Sequence, residues 1–216
     1  GYTYVNAGTL AVTSLAAVGT AQPLGLSGNI ILGNATAPTN SAVLELSPTG
    51  SGTINFAQTV TVAAGDSGTF IDNYTGGFLL MMGSFSIPAA TLNLTGASGA
   101  TMVLNSGIII TGNSGLPNTT VNLFGSGFTV EPGSSSSQSF LGTLNIYDGA
   151  TWYNNNTGGL ATTNPTNEVV TLGSAADNSS GTLRIGFNLT LGGLSTSGTG
   201  TANIVNGGGI LTINND

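Results

Sequence analysis

The chain has 216 residues, of which 39% are hydrophobic and only 4% charged, with 35 glycines and with Ser and Thr together about a quarter of the total. That length can bury a sizeable core as one domain, and the apolar content is too high for a disordered low-complexity tract. Arg184 is the one basic side chain, His, Lys and Cys are absent, and the net charge is −7, which excludes a phosphate-neutralising nucleic-acid binder, docking on anionic lipid, a disulfide framework and a thiolate metal site.

Along the chain, "TYVNAGTLAV", "GNIILG", "AVLELS", "GTINFAQTVTVAA", "GTFIDNY", "GFLLMMGSFSI" and "ATLNLTG" read as strands over the first hundred residues. They are followed by "ATMVLNSGIIITG", "TTVNLFGSGFTVE", "SFLGTLNIYDGATWYN", "NEVVTLG", "GTLRIGFNLTLGG" and "TANIVNGGGILTIN". The warrant is β-branched and aliphatic residues in short runs bounded by Gly, Asn, Asp and Ser. Alternation sets the faces: Ile54 with Phe56, Leu144 with Ile146 and Leu183 with Ile185 point inward, leaving Asn145 and Arg184 in water. No segment reads as an amphipathic helix, because surface helix formers are almost missing. Residues 15–25 read as a loop or at most one turn, and 134–138 and 154–167 as surface loops. The densest apolar run, Phe78 to Met82, is too short to span a bilayer. The opening at Gly1, with no charged leader, suits a processed protein or a fragment.

One element recurs: Gly-Thr-aliphatic-x-aliphatic at Gly8, Gly52, Gly142 and Gly181, with looser copies at Gly68 and Gly209. Its Gly permits a φ > 0 corner before the strand, and its reuse points to one supersecondary unit repeated many times in a single all-β domain. Two architectures satisfy this pattern. Stacked coils and a β-sandwich or jelly roll need the same alternation and similar turns, and both remain open on the repeat alone.

"YVNAGTLAV" resembles the autotransporter-associated β-strand repeat, and "LTLGGLSTSGTGTANIVNGG" is similar to the related short repeat of bacterial surface proteins, with "VTLGSAADNSSGTLRIG" as the preceding copy. The likeness covers residues 168–213 and 1–12. It implies a right-handed parallel β-helix exported to the cell surface or beyond, which is therefore favoured, with the β-sandwich or jelly roll as the alternative. On that reading a coil takes about 20–25 residues, giving roughly nine coils and a body about 45 Å long.

Chemistry is poorly supplied. Without His, Cys or Lys, no Ser-His, Cys-His or Ser-Lys nucleophile can be built. The carboxylates Glu45, Asp66, Asp72, Glu131, Asp148, Glu168, Asp177 and Asp216 fall in no paired motif, and read as turn and edge residues in preference to a glycosidase dyad. The Asp66, Asp72 and Asp177 stretches offer oxygen ligands but no calcium-repeat motif. Neither a catalytic residue, a metal site nor a cofactor is therefore expected. Seven N-x-Ser/Thr sequons match the number expected by chance, about six for this composition. Tyr147, Trp152 and Tyr153 lie close together in sequence beside a polar loop and are candidate glycan contacts.

The termini carry the functional expectation. Neither the first strand nor the last has a charge or a proline to blunt its edge. Tyr4, Val5, Leu10 and Val12 at one end, and Ile204, Val205, Ile210, Leu211 and Ile213 at the other, are candidate self-assembly edges. The expected partners are copies of the chain itself, with surface glycans as a second class, and the expected location is extracellular or on a bacterial surface. Three readings follow: a subunit of a filament or surface layer, a monomeric passenger stalk or adhesin presenting a glycan site, and, ranked last, a polysaccharide-acting enzyme.

Overall fold

A computed structural model describes residues 1–15, 23–25, 28–38, 41–105, 110–112, 119–133, 142–155, 160 and 168–214. The expected loops at 15–25, 134–138 and 154–167 lie largely outside the described residues.

The chain is a parallel β-solenoid of about 7 turns, with no helix among the described residues. Each full coil visits three sheets in order. The first holds β1 (Thr3–Val5), β3 (Asn29–Leu32), β6 (Thr59–Val62), β9 (Phe85–Ile87) and β12 (Ile110–Gly112). The second is the tallest and runs β2 (Gly8–Val12), β4 (Ala42–Leu46), β7 (Ser67–Asp72), β10 (Thr91–Gly96), β13 (Thr119–Leu123), β15 (Gly142–Ile146), β17 (Glu168–Leu172) and β20 (Gly193–Thr196). The third holds β5 (Gly52–Phe56), β8 (Gly77–Met81), β11 (Thr101–Leu104), β14 (Thr129–Pro132), β16 (Thr151–Asn154), β18 (Gly181–Ile185) and β21 (Ala202–Asn206). Near the C-terminal end, β19 (Leu189–Leu191) and β22 (Leu211–Ile213) pair as a separate two-stranded sheet, following the third sheet in chain order as the first-sheet strands do.

Every described strand pair is parallel, as in β4 on β7 and β16 on β18. That rules out the β-sandwich alternative, whose sheets are antiparallel. Several coils are longer than 20–25 residues, and the expectation of nine coils is corrected to about 7. Leu123 stands under Ile146, 23 residues on, but Val12 stands under Leu46, 34 residues on, because the connections between strands take up chain. Eight strands in the tallest sheet give a body about 34 Å tall at the usual strand spacing.

In-register stacking turns the sequence alternation into columns. One inward column of the tallest sheet runs Leu10, Leu44, Phe70, Leu94, Leu123, Ile146, Leu172 and Thr196. Its members from Leu44 to Ile146 are fully buried. Phe56, Phe70 and Phe85 come from the three different sheets and meet edge to face, with centroids 5.4 Å apart in both pairs; such contacts add to the burial term. The outward face of the same sheet carries an amide ladder. Asn145 donates to Asn122 at 2.8 Å, Asn122 to Asn93 at 2.9 Å, and Asn93 to the Ser67 hydroxyl at 2.9 Å.

The Gly-Thr element starts a strand at all four strict copies, but not at one fixed place in the coil: it opens β2 and β15 in the tallest sheet, and β5 and β18 in the third. This is why its sequence spacing is irregular. Gly8 and Gly52 do take φ of 77° and 94°. Gly181 does not; there a Cβ would collide with the carbonyl oxygen of Ile146.

Candidate functional site: the open coil end

The last coil, β20 to β22, places apolar side chains in core columns with nothing described above them. Ile204 stands on Leu183, Leu211 on Leu189 and Ile213 on Leu191. The lower member of each pair is buried, while Ile204 is 48% and Ile213 39% exposed and Leu211 is half-buried. Leu194, on buried Val170, is half-buried in the same way. Leu194 was not among the residues anticipated from sequence, because β20 reads Gly-Leu-Ser-Thr and one apolar residue shows no alternation; its register opposite Val170 is the signal that places it. Val205 and Ile210 are exposed as well. Val205 pairs with outward-facing Arg184, so it belongs to the outer surface and not to a core column.

The first coil differs. Tyr4 is exposed on the outside, edge-on to Tyr2 at 6.1 Å. Val5 and Val12 are buried and Leu10 is half-buried. The chain after β2 supplies part of the cover: Leu24 is fully buried, Leu15 packs on the core, and the Thr3 hydroxyl donates to the Leu24 carbonyl at 2.6 Å. The two ends are therefore not equivalent.

Both ends present strands with a strand neighbour on one side only: β1, β2 and β5 at one, β20, β21 and β22 at the other. None of these six contains a charged residue or a proline, so the usual devices that blunt an edge are missing from the strands themselves.

The three candidate glycan contacts do not share a surface. Trp152 is fully buried in the core. Tyr147 lies on the outside of the tallest sheet, stacked on Phe124 with centroids 5.3 Å apart and planes at 10°. Tyr153 lies on the third sheet beneath the Arg184 guanidinium, 4.0 Å from its ring centre. Neighbours in a strand point to opposite faces, and Trp152 and Tyr153 obey that rule.

Asp66, Asp148 and Asp177 lie between strands, but Glu45, Asp72 and Glu131 lie in β4, β7 and β14, which have a neighbour on both sides, so the expectation of turn and edge residues is corrected for these three. Asp66 accepts the Asn34 and Ser67 amides, both at 2.8 Å, Asp72 accepts the Tyr74 amide at 3.0 Å, and Asp177 accepts the Ser179 amide at 3.0 Å. Glu45 and Glu131 accept from the side chains of Asn73 and Asn155, each at 2.9 Å. Burial raises the Glu131 pKa, and the nearby Arg184 opposes that shift. No group of three acidic side chains converges among the described residues. The side chain of Glu168 and the whole of Asp216 lie outside them.

The fold defines the chain as a parallel β-solenoid. Compared with protein-family models, curated proteins and solved structures, it matches none.

Proposed function

We propose that the chain is a non-enzymatic structural subunit of an extracellular bacterial filament or surface assembly, in which coils of successive copies stack head to tail. The observation that carries this reading is the loss of burial across one step of the core, from Leu183 to Ile204 and from Leu191 to Ile213. A further parallel coil would cover those side chains and pair the outer backbone groups of β20, β21 and β22. Such a contact joins two different surfaces of the same molecule, so it propagates into a fibre. The resemblance to autotransporter-associated repeats supports an exported location, and the lack of cysteine suits a chain exported unfolded. The near absence of charge means that backbone pairing and apolar burial, not ion pairs, would hold copies together.

The test is negative-stain microscopy and light scattering of the purified protein over a range of concentrations and salt. Long polymers that persist at high salt are expected. Ile204→Lys, which puts an ammonium into the stacked core, should leave single particles. Thr61→Lys, on the flank of the first sheet, should still polymerise. A wild-type protein that stays monodisperse at every concentration would overturn the reading in favour of a monomeric stalk.

A further inference from the structure

The outward column that contains Tyr147 has a gap built into it. Phe124 covers one face of the Tyr147 ring from the coil below. The residue one coil above, next in register after the Ile146–Leu172 pair, is Gly173, which places no side chain over the other face. The gap is fixed by the backbone: Gly173 has φ of 86°, and a Cβ there would lie 2.6 Å from the Ser197 carbonyl oxygen and 3.0 Å from that of Ser179. No ordinary side chain can fill the place. The result is a shallow cavity of about 220 Å3 lined by Asn145, Tyr147, Thr171, Gly173, Ser174, Ala175 and Ser197. It is smaller than the roughly 300 Å3 at which pockets for drug-sized molecules begin.

The lining has one aromatic ring, the Ala175 methyl and the Gly173 backbone, and otherwise amide and hydroxyl groups. Asn145 is the last amide of the ladder: it donates downward to Asn122, and the next residue in its column is Thr171, so no amide engages its own carbonyl oxygen from above. Thr171 shares a hydrogen bond with Ser195 at 2.9 Å, which keeps one hydroxyl oxygen of that pair with accepting capacity. The phenol of Tyr147 holds its proton more tightly than usual, first because it is partly buried and then because Asp177 and Asp148 lie near it; it is therefore an O–H donor at any physiological pH.

We infer that the step above Tyr147 is a binding site for a single pyranose ring of a neutral saccharide. The C–H face of a pyranose packs on an aromatic ring, and its equatorial hydroxyls need a surround of amide and hydroxyl partners. Asp148 and Asp177, near enough to act on the Tyr147 phenol, select against uronic acids and other anionic sugars, since like charges repel. The site lies on the flank of the solenoid, with Ser195 and Ser197 of the last coil at its upper edge, and its test does not depend on whether coil ends associate.

Saturation-transfer NMR reports on the sugar and works on single particles and polymers alike. The probes are methyl β-glucopyranoside, a β-linked glucose tetramer and methyl galacturonide, each at ~10 mM, suited to a weak single-ring site. The expected result is transfer concentrated on the axial C–H protons of one face of the neutral sugars, with the uronide several-fold weaker. The monomer and tetramer arms separate recognition of a free sugar from that of a chain: a tighter tetramer indicates a polysaccharide, and equal binding a lone ring. Tyr147→Thr, a residue type already present in this column at Thr95, should weaken binding about tenfold or more. Tyr153→Thr, whose ring lies under Arg184 on another sheet, should leave it unchanged. No transfer to any neutral probe, or transfer that survives Tyr147→Thr, would overturn the assignment.

Discussion

Ile204 stands directly on Leu183 in one inward column, and the two differ only in what lies above them: Leu183 is fully buried and Ile204 is 48% exposed. A solenoid core is quasi-one-dimensional, so each coil is stabilised by its two neighbours, and a coil with one neighbour is the first to open. In a dilute, single-particle sample, amides of β20, β21 and β22 should exchange with solvent at least about a hundredfold faster than those of β10 and β13, a difference of about 3 kcal/mol in opening free energy. Assembly should close that gap at β20 to β22. Hydrogen-exchange mass spectrometry at two concentrations measures both. Equal protection of residues 204–213 and of β10 in the dilute sample would show that the end is already satisfied.

Trp152 gives a second prediction, because it separates a folding role from a binding role. It is fully buried, and its indole Nε1 has no hydrogen-bond partner. Trp152→Ala should cost about 3–5 kcal/mol through the cavity it leaves. Trp152→Phe should cost clearly less, since it removes an unpaired buried N–H together with only part of the ring volume. Denaturant midpoints of the three proteins check this. A Trp152→Ala protein as stable as the wild type would mean that the indole does not pack as described.

Much of this architecture is legible in the sequence. Alternation in "GTLNI" and "GTLRI" fixes which side chains go inward, and Leu144, Ile146, Leu183 and Ile185 are all buried. What alternation does not carry is the count of residues between strands. The long step from Val12 to Leu46 sits beside short ones, so a period read from the short copies overestimates the number of coils. Nor does proximity in sequence fix a shared surface. Tyr147, Trp152 and Tyr153 lie within seven residues, yet a corner turn and the pleat send them to one sheet, the core and another sheet. The pocket above Tyr147 depends on a residue 26 positions on, Gly173, set there by register, which no local pattern around Tyr147 reveals.

The amide ladder yields a third prediction. Asn122 is its middle rung, accepting from Asn145 and donating to Asn93. Asn122→Ala removes both bonds at a half-buried place and should cost about 1–2 kcal/mol. Asn122→Asp keeps the acceptor toward Asn145 but sets a carboxylate against the Asn93 carbonyl oxygen, so it should cost more than Ala above about pH 5 and less below about pH 4. Urea titrations of the two variants at those pH values read the crossover. Identical stability of both variants at every pH would mean that the ladder does not contribute.

The last prediction concerns pH, and it rests on Asp72. Its column runs Val12, Leu46, Asp72 and Gly96, which places a carboxyl where the coils below have aliphatic side chains. Asp72 is fully buried, its Oδ2 lacks a hydrogen-bond partner, and its Oδ1 accepts the Tyr74 amide. Burial pushes its pKa from 3.8 up to about 6, with the Tyr74 N–H pulling the other way. Because the folded state holds the proton more tightly than the unfolded one, this group lowers stability as pH rises from about 4 to about 6, by up to about 3 kcal/mol, and adds no further change above that. Asp72→Asn keeps the acceptor for Tyr74 without the charge. The variant should match the wild type below about pH 4 and exceed it by about 2–3 kcal/mol at neutral pH. Guanidinium midpoints of both proteins between about pH 4 and pH 7 measure the difference. A gap that does not change with pH would mean that Asp72 titrates as an ordinary exposed carboxylate.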